Sequence, residues 1–160
     1  MRVRLKHNYL LVFCVLVVGA LCVASIWQPI RFERMRTERE QVVKRRLADI
    51  RRAEEKYHAT AGRYTADFDS LVAGGYLADS LQYIPYTPKK RFELYVTMQL
   101  AKSGRQIALM ECRAPFTDYL QGLDKQHIVR LIEQESAAGR YPGLKIGDIT
   151  TPNNNAGNWE

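Results

Sequence analysis

Nineteen consecutive residues without a charge, positions 9–27, constrain this chain more than any other feature: YLLVFCVLVVGALCVASIW. As a helix at 1.5 Å per residue the run measures about 28 Å, close to the hydrocarbon thickness of a bilayer, about 30 Å. Tyr9 and Trp27 close its two ends, where interfacial aromatics belong. The run exceeds the apolar core of about 7–15 residues found in cleaved signal peptides. Neither Cys14 nor Cys22 follows a small residue (Phe13 and Leu21 precede them), so a lipoprotein site is not indicated. The expectation is an uncleaved transmembrane helix over 9–27, preceded by a basic tail over 1–8. Pro29 predicts a bend or restart just beyond it.

The net charge of +7 belongs to the flanks of this run. Arg2, Arg4 and Lys6 precede it without an acid, and residues 31–56 hold ten bases against six acids. From 57 to 160, eleven bases balance eleven acids. A nucleic-acid binder needs its excess on the folded domain, where phosphates are neutralised. Here the excess reads as a membrane-surface feature, with Arg2, Arg4, Lys6, Arg31 and Arg34 beside Tyr9 and Trp27 at the interface, and no nucleic-acid partner is expected. By count, seven bases behind the run against three ahead of it would keep the domain inside. A short basic tail ahead of a first apolar segment favours export of the chain behind that segment, which is the topology expected here.

Residues 31–61 lack Gly and Pro and are rich in helix formers. Met35, Val42, Val43, Leu47, Ile50, Ala53 and Tyr57 recur at three- and four-residue steps, predicting a long charged amphipathic helix. Val43, Leu47, Ile50 and Tyr57 form its packing stripe, and Gly62 its C-terminal stop. Thr65 or Asp67 caps a short helix carrying Phe68, Leu71 and Val72. Residues 81–86 read as extended, and 91–100 with 105–113 as an antiparallel hairpin. A second helix is expected over 124–138 and a last strand over 144–149. Residues 151–160, with four Asn, read as a flexible exposed tail. The predicted class is α+β: a transmembrane helix, a long amphipathic helix packed on a small antiparallel sheet over 62–150, and a short C-terminal helix.

Little in the chain points to chemistry. There is no G-x-S-x-G elbow, and Gly74-Gly75 follows a short helix rather than a strand, unlike a phosphate loop. His7, His58 and His127 lie too far apart in sequence for zinc spacing. Cys112 is a packed strand residue rather than a reactive thiol. Asp67 and Asp69 suit helix capping better than calcium ligation. Lys44-Arg45-Arg46 with Arg51-Arg52 fits a solvated face or an anionic contact. No enzyme activity, cofactor, metal or small-molecule substrate is expected.

The order of elements, with Ile50-Arg-Arg-Ala-Glu-Glu-Lys-Tyr-His-Ala-Thr-Ala-Gly-Arg-Tyr64 where the long helix ends, resembles type IV pilins and the pseudopilins of general secretion. The likeness covers roughly 9–100. Asn8-Tyr9 stands where those precursors carry a processing site, and the run has no early Glu, so the resemblance implies architecture and no functional residue. It implies a non-catalytic structural or assembly component of a bacterial envelope or secretion machine. That component would sit in the inner membrane with a periplasmic domain, facing the bilayer, other envelope proteins and further copies of itself. The other reading is a membrane-anchored coiled-coil scaffold of a division-type complex, in which the 35–57 stripe pairs with a second helix.

Overall fold

The computed structural model describes residues 3–100 and 104–160, with side chains described from Tyr9 onward except 23–26 and 28. The chain divides into two compact units, Met1–Thr37 and Glu38–Glu160. Helix α1, Val3–Ala61, supplies all the described secondary structure of the first unit and opens the second.

In the first unit the described apolar side chains of the uncharged run stand outward, whereas Phe32 beyond it is buried. Tyr9 is 71% exposed, Leu10 56%, Leu16 66% and Trp27 66%. Among the described residues no helix is long and apolar enough to cross a membrane. The side chains at 23–26, inside the uncharged run, lie outside those residues. The expected restart at Pro29 is corrected, because α1 continues through it. One proline removes a single amide from the ladder, and the turns on either side remain bonded.

The second unit is α+β with a three-stranded antiparallel sheet of order β1-β2-β3. Its strands are β1 (Glu93–Leu100), β2 (Gln106–Pro115) and β3 (Gly143–Gly147). Opposite one another in the register are Val96 and Met110, Leu94 and Cys112, Cys112 and Ile146, and Ala114 and Leu144. Period-2 alternation puts these on one face. Met110, Cys112, Ala114 and Ile146 are fully buried there. Val43, Leu47, Ile50 and Ala53 of α1 are buried equally completely. Removing a Leu or Ile side chain from water contributes about 1.5–3 kcal/mol, so this stripe is a main source of the unit's stability.

Several boundaries follow local chemistry. Gly62 at φ +71° donates its amide to the His58 carbonyl and ends α1. Helix α2 (Phe68–Ala73) is capped by Asp67, whose carboxylate accepts the Asp69 and Ser70 amides. A one-turn helix α3 (Phe116–Tyr119), not expected from the sequence, follows Pro115 at the end of β2. Helix α4 (Lys125–Ala137) is capped by Asp124 through the His127 amide. Residues 79–82 form a 3-10 turn rather than the start of an extended run, and only Tyr83 bridges to Arg91.

The tail also differs from expectation. Residues 151–154 are exposed, yet the chain then returns to β3. Gly147 donates its amide to the Ala156 carbonyl, Asn158 donates its amide to the Lys145 carbonyl, and Gly157 bridges to Ile146. Asn-rich composition suggests solvation, but β3 presents an edge of unpaired amides and carbonyls that this segment satisfies.

Candidate functional site

The face of the sheet opposite the buried apolar one carries a polar cluster. Register sets Tyr95 opposite Glu111, and Arg113 between Glu93 and Lys145. Glu111 is only 1% exposed and accepts hydrogen bonds from Arg113 Nε and, at 3.2 Å, from Lys145 Nζ. Lys145 reaches Asp148 at 3.1 Å. The Arg113 guanidinium lies 4.8 Å from the Tyr95 ring centre and 5.5 Å from that of Tyr141. Asp148 is held well below the usual carboxylate range, first by the Thr150 hydroxyl and then by backbone amides and Lys145. Burial, reinforced by Glu93, pushes the Tyr141 hydroxyl up. Each buried charge has a partner, which makes this a matched network suited to holding β2 and β3 together.

The basic stretch of α1 is divided between scaffold and surface. Arg46 Nη1 donates to the carbonyls of Ser80 at 3.3 Å and Tyr83 at 2.5 Å. Arg39 donates to the carbonyls of Tyr119 and Gln121, at 2.9 and 2.8 Å. Arg51 reaches the Asn155 carbonyl and the Glu160 carboxylate, and Lys44 lies 5.6 Å over the Trp159 ring. These cations tie α1 to the segments at 80–83, 119–121 and 155–160. Arg45 and Arg52 face solvent, Arg52 paired with Asp49.

Of the residues expected at the membrane interface, Tyr9, Trp27, Arg31 and Arg34 are exposed on α1. Arg4 and Lys6 lie on α1 with side chains outside those described, and Arg2 lies outside the described residues altogether. Of the packing stripe, Val43, Leu47 and Ile50 are fully buried, while Tyr57 is half-buried and packs edge-on against Tyr76 at 5.6 Å. Asp67 caps α2, and Asp69 pairs with Arg91 at 2.7 Å. Among the described residues no three His, Cys, Asp or Glu side chains gather as a metal site. Cys112 is buried, and its thiol is pushed up first by burial and then by the Glu54 charge.

Glu54 escaped notice in the sequence. It is completely buried, and burial pushes its carboxyl up to about 7 against the Thr65 amide, which acts the other way. The signal was present: Leu47, Ile50, Glu54 and Tyr57 are spaced by three, four and three residues, so Glu54 falls on the apolar stripe. No such signal existed for Tyr141 and Lys145, which meet Arg113 and Glu111 of β2 across the fold.

Compared with known proteins, the chain matches no family model, no curated protein and no solved structure.

Proposed function

We propose that the chain is a single-pass, membrane-anchored structural or assembly component of a bacterial envelope or secretion machine, with the bilayer around residues 9–27 and the 38–160 unit periplasmic. The observation that carries this reading is the contrast along α1. Its first part leaves Leu10, Leu11, Phe13, Leu16 and Leu21 more than half exposed, whereas Val43, Leu47 and Ile50 further on are fully covered within one chain. So continuous an apolar surface needs a cover, and its composition matches lipid. The covered stripe supports a domain built like the pilin family and leaves little surface for a coiled-coil seam.

Fractionation tests the anchor. Full-length protein should stay with membranes through a high-salt wash, and a chain lacking 1–28 should not. If the shortened protein still pellets after that wash, the single-anchor reading is wrong. For topology, a cysteine at an exposed α4 position, Ser136→Cys, avoids buried Cys112. An impermeant thiol reagent outside the inner membrane should label it, and labelling only after lysis would reverse the orientation.

A further inference from the structure

Buried carboxyls without a cation are costly when ionised, and Glu54 is one. Its Oε2 accepts the Thr65 amide at 3.1 Å, while its Oε1, also buried, has no hydrogen-bond partner. The groups around it offer no compensating charge. Cys112 of β2, fully buried, is near enough for the Glu54 charge to raise its thiol. From the turn after α1 comes only the Thr65 amide. On α1 itself, Ile50 and Ala53 are apolar and buried, Tyr57 packs on Tyr76, and His58 stacks on Tyr64 at 4.5 Å. Among the described residues no ion pair to Glu54 occurs.

We propose that Glu54 is a proton-operated latch on the turn at 62–65, closed while its carboxyl is neutral and buried and released when it ionises and turns to water. Gly62 and Arg63 in that turn are exposed. Gly62, at φ +71°, is the natural hinge. Two neighbouring segments depend on the turn. Thr65 Oγ1 accepts the Asp67 amide at the start of α2, and the Tyr64 hydroxyl accepts Asn155 Nδ2 at 3.0 Å from the C-terminal segment. Opening the latch therefore loosens the α2 cap and the attachment of the tail together. The latch is closed in mild acid and opens as the medium becomes alkaline.

Amide hydrogen exchange on the full-length protein in detergent tests this, with rates corrected for the intrinsic pH dependence. If opening restores the carboxyl from about 7 to its ordinary 4.5, linkage predicts that protection of the Thr65 amide falls about thirty-fold between pH 5.5 and 8. In Glu54→Gln the same change of pH should alter protection less than about two-fold. Unchanged protection in the natural protein, or an equal fall in the variant, overturns the proposal. Should the variant not fold, carbon NMR of the Glu54 carboxyl in the natural protein decides. A midpoint coinciding with the loss of Thr65 protection supports the latch, and a midpoint at the ordinary glutamate value overturns it.

Discussion

Asn158 and Lys145 clasp each other by two opposed hydrogen bonds: the Asn158 amide donates to the Lys145 carbonyl, and the Lys145 amide donates to Asn158 Oδ1, at 3.0 and 3.1 Å. Asn158 Nδ2 adds a bond to the Gly143 carbonyl at 2.9 Å. The side chain thus serves β3 as a further piece of strand would, and Gly157 pairs with Ile146 between these contacts.

Deleting residues 153–160 should therefore uncover the β3 edge. A hydrogen bond contributes about 1 kcal/mol net, partly offset by the entropy recovered from the freed segment, so a loss of about 1–3 kcal/mol is expected. Hydrogen exchange should show the Gly147 and Lys145 amides losing protection while the β1–β2 ladder keeps it.

Two glycines with the same backbone sign should respond unequally to alanine. Gly147 has φ +69°, and a β-carbon there would stand 2.1 Å from the Met110 carbonyl oxygen. Gly62 has φ +71°, but a β-carbon there meets nothing within 4 Å. Gly62→Ala should cost about 1–2 kcal/mol from the left-handed backbone alone. Gly147→Ala should cost clearly more, because the clash is with backbone and β2 must separate from β3. Equilibrium denaturation of both variants measures the difference.

Leu47→Ala removes a side chain with no exposure. The expected loss is about 2–5 kcal/mol, from transfer energy and the cavity left behind. Measured on a chain lacking 1–28, the drop in denaturation midpoint should be the same at every protein concentration. A loss confined to self-association would mean that the stripe is an intermolecular seam.

Two buried or bonded carboxyls give stability opposite slopes with pH. For Glu54 the folded value, about 7, lies above the ordinary 4.5, so the folded state holds the extra proton. Stability is full below the ordinary value and declines as pH rises through the interval to about 7, by about 3 kcal/mol at most. Glu54→Gln should abolish this decline. Asp148 is held below its ordinary range, so its contribution is present above that range and is lost as pH falls through the folded value. Asp148→Asn should flatten the acid side of the profile and leave the neutral side unchanged. Denaturation midpoints at intervals from pH 2 to 9 separate the two.

Much of the helical framework was legible in local spacing. The Val43–Leu47–Ile50 stripe and the Gly62 stop depend on residues a few positions apart and stand in the structure, and of the two cap candidates Thr65 and Asp67 the structure takes Asp67. The hairpin of β1 and β2 was readable for the same reason, since a short connection sets its register.

The sequence by itself determined where the uncharged run lies, which faces of the helices are apolar, and where turns must fall, because these are properties of periodicity and of side chains acting on their own backbone. Only the tertiary structure decided that Glu111 would meet Lys145, 34 positions away, and that Asn155 would meet Tyr64 across 91. It likewise decided that Glu54 would be completely buried, with its Oε2 on the Thr65 amide. Such pairs depend on which strand edge remains unsatisfied and how two faces come into register. Composition reads the Asn-rich end and the lone Glu as polar and solvated. The fold instead places one on an open β edge and the other on a buried stripe, where hydrogen-bond demand and desolvation outweigh their preference for water.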